Sequence, residues 1–175
     1  MADYFEQTVV QQSIPETDMT PLVRLLLSRI FQSERDGEAW SFFAEDNPCT
    51  MVHATRAELV EALGSSPDRD SAAYRHVIER LAAVGAQADE VDLDLSGTSW
   101  ELFLQDIVKR SQTLVYLTVV ATFTCSRMRP DGFGGMAVLI TADTVRGKST
   151  NDLIEEFLSE AGLDGEGRGS EGGAP

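Results

Sequence analysis

The run from Thr113 to Ser126 is dominated by Val, Thr, Tyr and Phe, and Met136-Ala137-Val138-Leu139-Ile140-Thr141 repeats that character after a short gap. Such side chains fit a pleated surface, where they pack against cross-strand neighbours. The gap contains Arg129-Pro130-Asp131-Gly132-Phe133-Gly134-Gly135, the residue types of a turn, with glycines expected to supply positive φ. Two strands joined by so short a link pair antiparallel, because a parallel return needs a long crossover. A hairpin over about 113–141 is therefore predicted as the spine of the fold.

The remaining chain must cover that spine. Residues 4–14 are rich in β-branched and aromatic types and stop at Pro15, as a strand does. Thr20-Pro21 starts a helix whose apolar positions are Leu22, Leu25, Leu26, Ile30 and Phe31. Residues 38–43 and 50–53 read as a second hairpin around Asp46-Asn47-Pro48. Thr55-Arg56-Ala57-Glu58 is a capping box for a short helix, and Tyr74, Val77, Ile78 and Leu81 mark a third that Gly85 ends. Val91 to Leu95 alternates as a half-exposed strand, and Trp100, Phe103, Leu104, Ile107 and Val108 form the stripe of a fourth helix. Ser149 or Thr150 caps a last helix that Gly162 closes, with Leu153, Ile154, Phe157 and Leu158 expected to face inward.

This order lacks regular βα alternation and internal repeats, which predicts an α+β fold: a mainly antiparallel sheet with about five helices packed against it. Residues 1–162 are expected to form one domain, since 42% hydrophobic residues suffice for a core at this length. Residues 163–175 hold five glycines among charges and read as a disordered acidic tail.

The formal charge is −15, which disfavours direct binding to nucleic acid phosphates. Its distribution is uneven: residues 109–148 carry 6 basic and 2 acidic side chains, residues 1–108 carry 7 and 20. The opening residues resemble no secretory signal, and the longest apolar run, Leu114 to Phe123, is about half a membrane span. A cytoplasmic location with free Cys49 and Cys125 is expected, and no membrane association.

No catalytic set, metal site or cofactor is predicted. Gly132-Phe133-Gly134-Gly135-Met136-Ala137 matches a loose dinucleotide pattern, but a strand follows it where phosphate binding needs a helix N-terminus. Asp92, Asp94, Ser96 and Gly97 imitate a calcium loop until the twelfth position, where Phe103 replaces the required Glu. Two readings remain. In the first, Asp89, Glu90, Asp92 and Asp94, with Phe133 exposed at a hairpin tip, contact a basic protein partner by charge complementarity. In the second, Arg127, Arg129, Arg146 and Lys148 hold an anionic small molecule or substrate. These cations also suit a plainer role, neutralising acidic helices within the fold or in a homo-oligomer.

The segment Met128 to Asp143 with Lys148-Ser149-Thr150, together with Asp18-Met19-Thr20-Pro21-Leu22 and Phe42-Phe43-Ala44-Glu45, resembles an uncharacterised family carried on plasmids and integrative elements of proteobacteria. The resemblance spans most of residues 3–160. The family has no assigned activity, so it implies an accessory bacterial role and no particular site residues.

Overall fold

The computed structural model describes residues 3–163. The N-terminal segment is a single interrupted track of strand: β1 (Tyr4–Phe5), β2 (Thr8–Val10) and β3 (Ile14–Pro15). β1 and β2 pair with β8 (Tyr116–Cys125), while β2 and β3 pair with β5 (Ala39–Ala44). Pro15, with no N–H to donate, stands at the end of that track. β8 and β9 (Phe133–Thr141) make the expected hairpin, in register from Tyr116 opposite Thr141 to Thr124 opposite Phe133.

Two edge strands extend the sheet. β10 (Val145–Ser149) folds back on β9, and β4 (Gln32–Asp36) on β5, so the order is β10, β9, β8, the β1–β3 track, β5, β4, all antiparallel. The expected pairing of 38–43 with 50–53 does not occur. β5 takes β4 as its hairpin partner through Gly37, whose φ of 62° suits the tight turn, and β6 (Met51–Thr55) pairs with β7 (Glu90–Asp94) in a separate two-stranded sheet. β4 reads Gln-Ser-Glu-Arg-Asp and is mostly exposed, so it carries no apolar alternation to reveal it.

Helix α1 (Pro21–Ile30) begins where the Thr20 hydroxyl accepts the Val23 N–H at 3.2 Å, and it buries Leu22, Val23, Leu26, Leu27 and Ile30. α2 (Arg56–Gly64) has the full Thr55–Glu58 capping box, and α3 (Ala72–Val84) ends at Gly85, with φ 78°. α4 (Trp100–Arg110) lies against β8, β9 and β10 and also touches α1. α2, α3 and the β6–β7 pair enclose the far side of α1. The core between helices and sheet includes Phe42, Phe103, Leu104, Leu117 and Ile140, all fully buried. Phe31 meets both Phe42 and Trp100 edge-on, with ring centroids 6.5 and 5.2 Å apart.

Among the described residues, ten strands and five α-helices thus form a single α+β domain, and no helix is long and apolar enough to cross a membrane. The tail beyond Leu163 lies outside the described residues. One helix departs from expectation. α5 (Thr150–Glu160) buries none of its residues, and Leu153, Ile154, Phe157 and Leu158 are exposed. It springs from the edge strand β10 and touches β10 and β9, yet these contacts leave its apolar stripe exposed.

Candidate functional site

Beyond the first turn of α4 the inner face of the sheet opens into a cleft of 650 Å³. Its floor is Val119, Ala121 and Phe123 of β8 with Gly134, Met136 and Val138 of β9. Trp100 and Glu101 form one wall, the start of α5 another, and Asn47-Pro48 and Pro130-Asp131 complete the rim.

The shape of this end depends on glycines, for a reason other than the expected positive φ. Among the described residues only Gly37, Gly85 and Gly162 have positive φ. Close approach is the reason instead: a Cβ on Gly132 would stand 2.9 Å from the Cys125 Cβ and one on Gly135 2.9 Å from the Ala121 carbonyl oxygen, while one on Gly134 would crowd the Thr150 hydroxyl at 3.1 Å. The turn itself is Arg129 to Gly132, closed by the Gly132 N–H donating to the Arg129 carbonyl at 3.1 Å. Phe133 is therefore not at the hairpin tip. It is the first residue of β9, opposite Thr124, 47% exposed, and it lines the cleft.

All ionisable side chains lining the cleft are acids: Glu6, Glu101 and Asp131. Burial holds the Glu101 carboxyl above its ordinary pKa, and the Ser99 hydroxyl hydrogen-bonds to it. Asp131 has the Arg129 guanidinium 3.3 Å away, outside the lining. The site combines an apolar floor with three carboxyl-bearing residues and Trp100 in its lining. That arrangement suits a ligand with an apolar body and a positive charge. Among the described residues no three His, Cys, Asp or Glu side chains gather as a metal-binding group.

The acids singled out in sequence lie elsewhere. Glu90, Asp92 and Asp94 project from one side of β7 because strand side chains alternate, and Asp89 precedes them. Asp92 faces His53 across the β6–β7 pair, Oδ1 to Nδ1 2.7 Å, and the Arg80 side chain donates to its carbonyl. The Ser96 side chain, and after it the Ser96 N–H that donates to the Asp94 carboxylate at 2.9 Å, hold the Asp94 pKa below its ordinary value. None of these four acids lines the cleft.

The four cations form two groups. Arg127 and Arg129 belong to the β8–β9 turn, whereas Arg146 and Lys148 sit on β10 opposite Leu139 and Ala137. At roughly 3.3 Å per strand residue, Lys148 stands more than about 13 Å from the turn. Lys148 pairs with Glu156 of α5 and Arg129 with Asp131, while Arg127 and Arg146 make no ion pair among the described residues.

Sequence reasoning did not reach Glu6, Trp100 or Glu101 as site residues. Glu6 lies in the break between β1 and β2, and Trp100 and Glu101 open α4, so only the tertiary fold brings them together. Gly134-Gly135 beside a strand was the available signal, since glycine in a strand often marks close approach. No family model matches this chain, and it matches neither a curated protein nor a solved structure.

Proposed function

We propose that this chain is a non-enzymatic binding protein whose cleft receives a cationic, partly apolar segment of a basic protein partner. The observation that carries the reading is the cleft lining, with Glu6, Glu101 and Asp131 as its ionisable groups around an apolar floor. A net charge of −15 attracts a basic partner over long range, and the carboxyl rim fixes where its cation comes to rest. The lining offers hydroxyls but no Cys, His or Lys, which supports binding over nucleophilic catalysis. The separation of Arg127 and Arg129 from Arg146 and Lys148 lends less support to an anion gathered by all four. The resemblance to proteins of mobile elements fits a partner that is a cytoplasmic maintenance or defence protein of a bacterial host.

The test uses short peptides alternating Lys with Leu, an acidic peptide of the same length, and Trp100 fluorescence in a Trp40→Phe background. The basic peptide is expected to change Trp100 emission with an affinity that falls as salt rises. Asp131→Asn and Glu101→Gln each weaken it. Equal binding of the acidic peptide, or no response to the basic one at about millimolar concentration, a level at which even weak binding of about −4 kcal/mol registers, overturns the reading.

A further inference from the structure

The outer face of the sheet and α5 are both uncovered, and their charges are opposite. On that face Val120, Ala137 and Leu139, bordered by Val145 at the start of β10, line a groove of 630 Å³ whose ionisable residues are Arg146 and Lys148. Leu139 is 41% exposed. α5 carries Asp152, Glu155, Glu156 and Glu160 and no cation, beside a stripe in which Ile154 is 54% and Phe157 61% exposed. The helix is nonetheless closed at both ends: Ser149 and Asp152 form a capping box, and Gly162 at φ 71° lets the Leu163 N–H reach the Leu158 carbonyl at 2.8 Å. A helix this short gains most of its stability from packing an apolar face, which α5 does not find in its own chain.

We propose that two copies of this chain associate by reciprocal exchange, α5 of each lying in the outer-face groove of the other. Charge selects this occupant. The cleft on the inner face is lined by carboxyl groups and repels an acidic helix, whereas the groove offers cations and no acid. In a chain of net charge −15, the excess of cations in residues 109–148 is where another copy can approach without repulsion. Lys148 already attracts Glu156 within one chain, and Arg146, without an ion pair among the described residues, remains for the α5 acids of the second copy. Because α5 follows β10 directly, helix and groove adjoin along one edge, so the same patch serves both copies and the assembly closes as a two-fold dimer.

Sedimentation equilibrium of the full chain from about 1 to 100 μM, a span that captures interfaces of ordinary strength, tests the proposal. A dimer is expected that Phe157→Asp converts to monomer, with circular dichroism unchanged because Phe157 is not buried within its own chain, and with a urea midpoint that no longer rises with protein concentration as that of the wild-type dimer does. Arg146→Glu is expected to weaken association at least about tenfold, and added salt to weaken the wild-type dimer. A wild-type chain that stays monomeric across that range overturns the proposal. So does a dimer that survives both substitutions.

Discussion

Replacing Phe133 with Ala separates a residue that presents its ring to a ligand from one that plugs the end of the core. Full burial of a Phe side chain contributes about 1.5–3 kcal/mol. Phe133 is 47% exposed, so about half of that is at stake, roughly 1 kcal/mol. No closed cavity adds to the loss, because Phe133 borders an open cleft. With a urea m-value of about 2 kcal/mol/M, the midpoint should fall by about 0.5 M. The same substitution removes apolar surface from the mouth of the cleft, and affinity for the Lys–Leu peptide should drop about tenfold or more. A stability loss of about 3–5 kcal/mol, the range for an enclosed aromatic, refutes the exposure argument. Unchanged peptide affinity in a variant that folds normally refutes the role assigned to Phe133 in the cleft.

Three further outcomes follow from the geometry. Asp106, 6% exposed, accepts the Ala72 N–H at 2.6 Å and so caps α3 from α4; Asp106→Ala should cost about 1.5–3 kcal/mol in urea unfolding and Asp106→Asn less, whereas equal losses would show that the acceptor is immaterial. Burial raises the Glu101 pKa above 4.5, so its contribution to stability is full below that value and is lost as pH rises through the raised one. Glu101→Gln should flatten that part of the stability–pH curve and the parallel rise in affinity for the cationic peptide; an unchanged curve counts against the burial. Burial lowers the His76 pKa below 6.5, so the stability it contributes is present above 6.5 and lost as pH falls through the lowered value, a decline that His76→Gln should reduce when melting is followed against pH.

The long hairpin, the starts of α1, α2 and α5 and the ends of α3 and α5 were legible because each rests on neighbours in sequence. Thr20 reaches the Val23 N–H, Thr55 and Glu58 close on each other, and Gly85 and Gly162 adopt the positive φ that ends a helix. The alternation of Val91, Leu93 and Leu95 with Asp92 and Asp94 likewise marks one wet and one buried face of β7. β4 and β10 escaped notice because edge strands exposed to water need no apolar period, and Val-Arg-Gly-Lys-Ser has none.

Local patterns therefore specified which segments become helix or central strand and which turns break them, since caps, periodicity and turn residues act over a few positions. Pairing belonged to the tertiary structure. β5 takes β4 while β6 packs on α1 and pairs with β7, a choice no local pattern marks, and residues 4–15 find their place only between β8 and β5. The same holds for the cleft, where Glu6, Trp100 and Asp131 meet from three distant parts of the chain. The apolar stripe of α5 reads in sequence like that of a core helix, yet in the fold it touches β9 and β10 and stays exposed. An amphipathic pattern states that a surface must be buried; only the packing of the whole chain decides against what.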